Sequence, residues 1–481
     1  MAENAVGAVA EWLESWRTSK GAYNGFVVHR FRNKRMFRIH DTAWTQAAMI
    51  RAFANLWERS GNEKWHERMV LAADLQCSRI RRDTGRYDFA GHEDDRFCSL
   101  VHCALADVAL LRAALLTDAG RRERYVDAAK TNLDRYCLDR LWVPEERAFK
   151  FSEVDYWSPT ENRYVVNFNT MGAEALLKLH GITQESKYRD YALQIGEWLI
   201  RRCGVASSYH ERLLAGRTTV LDDPGGQWMA PGGLAYQYTA TQQTPDNCIL
   251  IYAGLALRGL CALYKETHDD RVAEIIREDV SFILAMRDPD TRLFYHTTDK
   301  GRVVRWPQFV SGAGMILVGL HEARETLKED WDWGDTLDAI LRRQYGNGGF
   351  PGFIGKAVVS PPREVWEDAV ATPNWNAQML EYLTLIAQPL ESDGRRRAAW
   401  IVRPGFCYVD TPGMAFVLSY APADFSCVYL AWKRWSYSLV YLSPYALVHS
   451  TMRFLRSCVL ACMRAVHPGM PDKVARLFGR K

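Results

Sequence analysis

The chain has 481 residues, of which 48% are hydrophobic and 25% are charged, and its formal net charge is +4. This composition is typical of a globular protein and argues against extensive disorder, while the length allows two or three average domains or one large repetitive one. No uncharged apolar run reaches the ~18 residues of a membrane span, and the first residues lack the pattern of a signal peptide. We expect a cytoplasmic protein, and the mild net charge gives no reason to predict a nucleic-acid partner.

The eleven cysteines are scattered along the chain rather than grouped. No CxxC pair and no Cys/His cluster with zinc-ligand spacing occurs, so we predict no metal site and no cofactor. A scattered, odd-numbered set is typical of reduced thiols in a cytoplasmic protein. We therefore expect free, buried thiols at the five cysteines that fall among apolar helical residues, Cys77, Cys103, Cys137, Cys203 and Cys261.

As far as residue 388, the sequence reads as two kinds of helix in strict alternation. The first kind is amphipathic, with apolar residues recurring every three or four positions, which predicts helices with one solvated face. Six such segments occur, at residues 8–17, 63–80, 121–138, 186–203, 270–286 and 332–345.

The second kind of helix is more apolar and richer in small residues. Its six segments are 41–57, 97–116, 169–179, 247–264, 310–323 and 376–387. Gly172, Gly254, Gly312 and Gly319 fall in these segments, and a glycine inside a helix costs about 1 kcal/mol relative to alanine. Close packing on all sides would explain such a cost, so we predict six outer and six inner helices.

A turn followed by aromatic residues comes after five of the six outer helices. These segments are 19–26, 82–89, 144–151, 288–295 and 345–353, and they predict short hairpins or extended segments at a rim. The fourth outer helix is followed instead by residues 204–246. A loop of that length in a compact domain is usually functional, so we expect a lid or a binding wall there.

This alternation resembles the (α/α)6 toroid of the six-hairpin glycosidase superfamily, which includes glycoside hydrolases, uronyl hydrolases, polysaccharide lyases and sugar epimerases. The resemblance is one of architecture and covers about four fifths of the chain. It implies an all-α toroid, the catalytic domain, over residues 1–388, and a smaller C-terminal extension over 389–481. The segment "RRQYGNGGFPGF" is also similar to the turn repeats of isoprenoid toroids, the terpene cyclases and prenyltransferase β-subunits. The Asp-x-Asp-Asp acid motif of class II terpene cyclases is absent, however.

The resemblance places an active site at the face where the inner helices begin. Glycosidic cleavage in most families needs two facing carboxylates, and Asp41, Asp95 and Asp246 lie at or just before the starts of three inner segments. His40 and His92, beside two of them, are residues that transfer protons near neutral pH. These five are our candidate catalytic residues. The alternative is that each carboxylate only caps a helix and each histidine is structural.

Candidate substrate-binding residues accompany these carboxylates, namely Arg38, Asp94, Trp228, Tyr236, Asn374 and Trp375. Arg38 ends a basic segment that is either a solvated hairpin or a recognition site for a uronate, sulfate or phosphate. The resemblance thus implies a hydrolase, lyase or epimerase acting on a small-molecule or oligosaccharide substrate. The alternatives are an isoprenoid-handling toroid and a non-catalytic, membrane-associated scaffold for glycan or lipid assembly.

The charge of the chain is unevenly distributed. Residues 391–481 contain 13 Lys/Arg and 5 Asp/Glu, a net +8, which leaves −4 on the preceding residues. Residues 398–422 read as extended segments and turns, and residues 445–466 as a basic amphipathic helix. We predict that residues 425–481 bind peripherally to an anionic membrane surface or a membrane protein. The alternative is that they pack against the toroid or another subunit.

Overall fold

The structure, a computed structural model, describes a set of segments separated by short gaps. These are residues 2–23, 26–31, 34–39, 43–88, 98–153, 162–216, 237–239, 247–299, 302–355, 370–387, 398–403, 406–421, 425–432 and 437–442. In several strands and in residues 203–216 the backbone alone is described.

Twelve α-helices in this part of the chain form six consecutive hairpins. The outer helices are α1 (Ala2–Trp16), α3 (Glu63–Ser78), α5 (Ala119–Asn132, continued by a π-helical stretch), α7 (Ser186–Gly216), α9 (Asp270–Ala285) and α11 (Gly334–Leu341). The inner helices are α2 (Ala43–Ser60), α4 (Leu100–Ala114), α6 (Val166–Thr183), α8 (Leu250–Thr267), α10 (Gly314–Leu327) and α12 (Pro373–Ile386). The predicted alternation of outer and inner helices is confirmed.

The inner helices close into a ring, because each contacts the next one and α12 returns to contact α2. Fourteen of the fifteen residues of α4 are buried, whereas only four of the fourteen residues of α5 are. This difference explains the two sequence patterns, since an outer helix buries one face and an inner helix is enclosed on all sides. The predicted (α/α)6 toroid is confirmed.

Two inner helices approach each other at a pair of glycines. A Cβ atom on Gly319 of α10 would lie 2.0 Å from the carbonyl oxygen of Gly254 in α8, and one on Gly254 would lie 2.5 Å from the Cα atom of Ile316. Both obstacles are backbone atoms, which cannot rotate away as a side chain can. The close packing predicted from the helical glycines is therefore present here.

We expect Gly319→Ala to lower the free energy of unfolding by about 1–3 kcal/mol or more, because the new methyl group must push α8 and α10 apart. Gly181→Ala in α6 is the matched control, since nothing lies within 4 Å of its added Cβ. That change should raise the stability by up to about 1 kcal/mol. Urea unfolding of the two variants measures the difference. Equal effects would contradict the close approach of the two helices.

Short strands lie in five of the six links that lead from an outer helix to the next inner helix; among the described residues, the link from α3 to α4 has only the isolated bridge between Ile80 and Tyr87. The strands are β1 (Phe26–Phe31), β2 (Lys34–Ile39), β3 (Trp142–Val143), β4 (Ala148–Phe149), β5 (Arg163–Val165), β6 (Gln237–Thr239), β7 (Asn247–Ile249), β8 (Tyr295–Asp299), β9 (Arg302–Phe309) and β10 (Phe353–Ile354). The largest of their sheets is antiparallel with the order β10-β9-β8-β7. All of them lie at the end of the toroid where the inner helices begin, which we call the mouth.

Four of the five turn-and-aromatic segments form the predicted hairpins. The antiparallel pairs are Arg17 with Tyr23, Ile80 with Tyr87, Trp142 with Phe149, and Arg287 with Phe294. The aromatic ring on the second strand of each pair, that of Tyr23, Tyr87, Phe149 or Phe294, is at most 3% exposed. Each turn therefore inserts a ring into the core just below the mouth.

The predicted boundary of the long fourth link is wrong at its start. Helix α7 continues to Gly216, past the expected loop start at residue 204. The added stretch contains leucine, alanine, glutamate and arginine and no proline, so nothing in it terminates a helix. Residues 217–236 and 240–246 lie outside the described part of the chain.

A five-stranded antiparallel meander follows the toroid. Its strands are β11 (Ala399–Arg403), β12 (Phe406–Asp410), β13 (Met414–Ala421), β14 (Phe425–Trp432) and β15 (Tyr437–Leu442), which confirms the extended segments predicted over residues 398–422. The buried carboxylate of Asp410 accepts hydrogen bonds from Trp12 Nε1 at 2.7 Å and from the Tyr408 hydroxyl at 3.0 Å. Because Trp12 belongs to α1, this contact fastens the sheet to the toroid.

The helix predicted over residues 445–466 lies outside the described residues, so membrane attachment of the tail stays a prediction. Within the described ranges, no helix is both long enough and apolar enough to cross a membrane.

Candidate functional site

The inner helices whose N-cap residues are described begin without a side-chain cap from those residues. The N-cap side chains of α4, α6, α8, α10 and α12 make no capping hydrogen bond; these residues are Ser99, Val165, Ile249, Ala313 and Thr372. Three outer helices, α3, α5 and α9, are capped by Asn62, Asp118 and Asp269, which accept first-turn N–H groups at 2.9–3.0 Å. The positive ends of five inner helices thus face the mouth without a capping side chain.

Two of the candidate carboxylates do not stand at the N-cap position of the helix that follows them. Asp95 lies four residues before the N-cap of α4, and Asp246 lies three residues before the N-cap of α8. An N-cap side chain must come from the residue next to the first helical turn. Asp41 lies two residues before α2, and whether it caps that helix stays open.

Most of the predicted site residues lie outside the described residues, namely His40, Asp41, His92, Asp94, Asp95, Trp228, Tyr236 and Asp246. Arg38 lies in β2, of which only the backbone is described. Asn374 and Trp375 are described, and both lie in the first turn of α12. The roles of all these residues stay predictions.

An Asn–aromatic–Asn sequence opens two inner helices that stand opposite each other in the ring. It is residues 167–169 in α6 and residues 374–376 in α12. The second asparagine has the same structural role in both. Asn376 accepts a hydrogen bond from Phe350 N at 2.7 Å and donates to the carbonyl oxygens of Phe350 and Thr372, both at 2.9 Å. It therefore clamps the preceding turn to the start of α12.

Asn169 repeats this arrangement at the opposite helix. It accepts from Phe149 N at 2.7 Å and donates to the carbonyl oxygens of Phe149 and Val165 at 3.0 and 3.1 Å. Phe149 and Phe350 are both fully buried. The two clamps thus anchor opposite sides of the mouth to the core.

The first asparagine of each motif is left without such partners. Asn167 is 1% exposed, and neither its Oδ1 nor its Nδ2 has a hydrogen-bond partner among the described residues. The buried Oδ1 of Asn374 and the Nε1 of Trp44 also lack one there. An unpaired buried polar group costs about 1–3 kcal/mol. Amide groups on opposite sides of the mouth that lack partners are suited to a polar ligand.

The two kinds of asparagine should respond differently to truncation. Asn376→Ala leaves the buried N–H and C=O of Phe350 unpaired and should lower the free energy of unfolding by at least about 2 kcal/mol. Asn374→Ala, two residues away, should change it by less than about 0.5 kcal/mol. Chemical denaturation of the two variants measures this contrast, and Asn169→Ala against Asn167→Ala repeats it in α6. A larger loss at Asn374 than at Asn376 would contradict the assignment.

Aromatic rings form a continuous chain across the mouth, which we call the aromatic arc: His102, Trp44, Trp375, Phe353 and His296. His102 stacks on Trp44 with a centroid distance of 5.7 Å, and Trp44 meets Trp375 edge to face at 5.1 Å. Phe353 lies 5.8 Å from Trp375 and 6.0 Å from His296. The arc therefore connects α4, α2 and α12 with the four-stranded sheet.

Four members of the arc were not among the predicted site residues: His102, Trp44, Phe353 and His296. A signal for His102 exists in the sequence, because it follows the candidate carboxylate segment within the first turn of an inner helix. His296 and Phe353 lie on strands whose pairing joins distant segments, and local sequence gives no such signal. They were missed for that reason.

His296 gives the arc a titratable member. Its ring lies 5.1 Å from the ring of Phe309, and desolvation by its surroundings lowers its pKa to about 4 from the ordinary 6.5. The imidazole is therefore neutral at physiological pH, where it can both donate and accept a hydrogen bond.

This lowered pKa predicts a pH dependence of stability. Between pH 6.5 and 4 the unfolded state binds the His296 proton and the folded state does not, so this residue makes stability fall as the pH falls through that range. In the variant His296→Gln the free energy of unfolding should therefore fall less between pH 6.5 and pH 4. Urea midpoints of both proteins at several pH values measure the effect, and parallel curves would contradict it.

Four charged side chains fill the ring axis below the arc. Arg51, Glu174, Arg258 and Glu381 are 4–7% exposed. Arg51 donates to both oxygens of Glu381 at 2.6 and 2.7 Å, and Arg258 lies 3.2 Å from Glu174 and 3.6 Å from Glu381. Since α8 and α12 are not neighbours in the ring, the contact of Arg258 with Glu381 spans the axis.

Mutual pairing favours the charged forms of Glu174 and Arg258 despite their burial. Burial favours the neutral carboxyl of Glu174, yet Arg258, Lys178 and Arg51 hold its pKa below the usual value. Burial likewise disfavours the charged Arg258, yet Glu174 and Glu381 hold its pKa above the usual value. Three of the four residues lie seven positions after Trp44, Asn167 and Asn374, hence about 10 Å deeper along their helices. The ion-pair group thus closes the axis beneath the mouth.

The part of the chain that the structure describes contains no group of three His, Cys, Asp or Glu residues placed to hold a metal ion.

No protein-family model and no curated protein matches the sequence. Solved structures do match: a D-mannose isomerase (TM-score 0.55, 12% identity, covering 79% of this chain and 96% of that one) and the cellobiose 2-epimerase from Bacillus thermoamylovorans (0.54, 13%, 78% and 96%). A GH76 α-mannanase from Bacteroides thetaiotaomicron also matches (0.51, 12%, 79% and 92%). At these identities the likeness establishes the fold. The chain has the (α/α)6 toroid architecture of the six-hairpin glycosidases, as the sequence resemblance implied.

Proposed function

We propose that the protein is a carbohydrate-active enzyme that binds a saccharide at the mouth of the toroid. The observation that supports this most is the pair of opposed asparagine amides, Asn167 and Asn374, beside the aromatic arc. Amide atoms without partners among the described residues suit sugar hydroxyls, and aromatic faces suit the C–H faces of a sugar ring. The similar structures are named for mannose, cellobiose and mannan chemistry, which supports the proposal by analogy of fold.

Two carboxylates from the helix starts would perform the chemistry. We assign Asp41 and Asp95 as the acid and base and Asp246 as the third candidate, with His40 and His92 as further proton carriers. The position of Asp95 and Asp246 away from the N-caps of α4 and α8 supports a role other than capping. In glycoside hydrolases the separation of the two carboxylates, about 5 Å or 6.5–9.5 Å, decides between retention and inversion.

The remaining predicted residues would hold the substrate. Trp375 and Asn374 line the mouth from α12, and Trp228 and Tyr236 of the long fourth link would stack on sugar faces. Arg38 and Asp94 would contact charged and hydroxyl groups. The guanidinium of Arg38 suits a uronate, sulfate or phosphate, so an acidic saccharide is the substrate class we favour.

The ion-pair group favours this function over an isoprenoid-handling toroid. An isoprenoid substrate needs an apolar cavity of some depth, whereas four charged side chains occupy the axis about 10 Å below the mouth. Extending an apolar chain onto that group would desolvate it further, which is costly. A saccharide bound above it would contact the arc and the amides instead.

Turnover of a saccharide panel by the full-length protein tests the proposal. We expect conversion of at least one neutral or uronic-acid oligosaccharide, and the product identifies the reaction. Hydrolysis adds water, elimination creates an unsaturated uronide that absorbs in the ultraviolet, and epimerisation leaves the mass unchanged. Conversion of an isoprenoid diphosphate with no reaction on any saccharide would overturn the proposal.

We also propose that the protein is cytoplasmic and that residues 425–481 attach it peripherally to an anionic membrane or a membrane protein. A basic residue near an anionic surface contributes on the order of 1 kcal/mol. Replacing Arg453, Arg456 and Arg464 with serine in the full-length chain should therefore reduce sedimentation with phosphatidylserine vesicles. Equal, salt-insensitive sedimentation of both proteins would show that the tail is structural.

A further inference from the structure

Two cysteines meet at the start of inner helix α4. Cys98 lies two residues before the helix and Cys103 in its first turn, so the chain brings their side chains together across the N-cap. Their Sγ atoms are 3.1 Å apart, and the two residues are 3% and 0% exposed. A disulfide has an S–S distance of about 2.05 Å, so the two sulfur atoms need to close by only about 1 Å.

The surroundings shift the pKa values of the two thiols in opposite directions. Burial opposes ionisation of Cys98, yet the hydrogen bond with Cys103, a backbone hydrogen bond at Tyr87 and the charge of Arg86 hold its pKa below the usual value. Burial and the neighbouring Cys98 raise the pKa of the Cys103 thiol well above the usual value. Cys98 is thus placed as the nucleophile, with Cys103 donating a hydrogen bond to it.

Neighbouring side chains hold this pair in place. The Tyr136 hydroxyl donates a hydrogen bond to the carbonyl oxygen of Cys98 at 2.5 Å, which fixes the backbone just before the helix. The third thiol of this region, Cys137, is fully buried and lies 3.4 Å from the Oδ1 of Asn132. Cys98 therefore has one close sulfur partner among the described residues, and that partner is Cys103.

We propose that Cys98 and Cys103 are a redox modification site that forms a reversible disulfide with a hydroperoxide as the oxidant. The Cys98 thiol releases its proton, and the thiolate attacks the terminal oxygen of the hydroperoxide. The O–O bond breaks, a Cys98 sulfenic acid forms, and the leaving alkoxide takes up that proton to give an alcohol (water from hydrogen peroxide). The Cys103 sulfur then attacks the Cys98 sulfur, the S–O bond breaks, and the hydroxide leaves with the Cys103 proton as water. Two thiols are oxidised by two electrons and one peroxide bond is reduced.

The position of the pair would couple this chemistry to the mouth. His102, one residue before Cys103, stacks on Trp44 in the aromatic arc. Shortening the sulfur distance moves the first turn of α4 and with it the His102 ring. The inference stands without the proposed function, because it concerns thiol chemistry and not saccharides.

Peptide mapping after hydrogen peroxide treatment of the full-length protein tests the proposal. The thiols that remain are alkylated. Mass spectrometry then gives the mass of the tryptic peptide 97–112, which contains both cysteines. We expect this peptide to lose two hydrogens and to escape alkylation, and to regain two alkylation sites after dithiothreitol. Cys261, a buried cysteine of α8, is the internal reference and should be oxidised more slowly.

Two variants separate the roles of the thiols. Cys103→Ser should stop at a Cys98 sulfenic acid that dimedone traps, whereas Cys137→Ser should still form the disulfide; Cys103→Ala replaces Cys103→Ser if that variant does not fold. The proposal is overturned if peptide 97–112 stays fully alkylated after Cys261 has reacted. It is also overturned if Cys98 links to Cys137 instead.

Discussion

Replacing Glu381 with glutamine should lower the free energy of unfolding by about 3–5 kcal/mol, because it breaks a buried ion-pair group by removing one partner. Glu381 accepts two hydrogen bonds from Arg51 and lies 3.6 Å from Arg258. The variant leaves two buried guanidinium groups beside the single carboxylate of Glu174. Urea unfolding followed by circular dichroism measures the loss.

The toroid offers a matched control at the corresponding position of α10. Glu322 also follows the start of its helix by about two turns, but its side chain is 38% exposed and pairs with the exposed Lys265 at 3.2 Å. Glu322→Gln should cost less than about 1 kcal/mol, as expected for a surface ion pair. The double variant Arg51→Met and Glu381→Met should recover part of the loss, since apolar replacement of a whole buried pair is often neutral. Equal losses in Glu381→Gln and Glu322→Gln would contradict the buried group.

Replacing Asp41 or Asp95 with asparagine should lower turnover by about 10²–10⁴-fold, which is the usual contribution of a general acid or base. The substitution keeps the size of the side chain and removes its proton chemistry. If the two carboxylates act as a pair, each single variant should lose nearly as much turnover as the double variant, because residues that act as a unit are not additive. Rates on the best saccharide of the panel measure this.

Asp88→Asn is the control for these substitutions. Asp88 precedes the same carboxylate segment, but its partly exposed side chain pairs with Arg81 at the surface, so turnover should not change. Unchanged turnover in both Asp41→Asn and Asp95→Asn would remove the site assignment and direct attention to Asp246 and the two histidines. A loss shared by Asp88→Asn would indicate a structural effect on the whole segment.

The helices of the toroid were predictable because their signal is local. Tyr125 and Ala128 of α5 are buried while the charged Asp127 between them is exposed, and that spacing can be read from the sequence. The apolar α4 is equally readable, since fourteen of its fifteen residues are buried. The end of α7 could not be predicted from the sequence, because no proline marks the end of the helix at the predicted loop start, residue 204.

The mouth was only partly predictable because its contacts join residues far apart in sequence. Asn374 was predicted as a substrate-binding residue, but local sequence cannot show that Asn376, two residues further on, bonds to Phe350 while Asn374 faces the mouth. The ion-pair group joins Arg51 to Glu381 across 330 positions. A charged residue about two turns inside an otherwise apolar helix is the signal that could have found it, since such a charge must be paired.

Titration of the best saccharide into the wild-type protein and into the double variant Asn167→Ala and Asn374→Ala tests the central claim most directly. We predict saturable binding to the wild type and a Kd at least about tenfold higher for the variant, because two hydrogen-bonding amides of about 1 kcal/mol each are lost. The melting temperature should stay nearly unchanged, since the Oδ1 and Nδ2 atoms of Asn167 and the Oδ1 atom of Asn374 make no hydrogen bond within the described part of the chain that the substitutions could break. Equal affinity of the two proteins for the saccharide would contradict a binding site at the mouth.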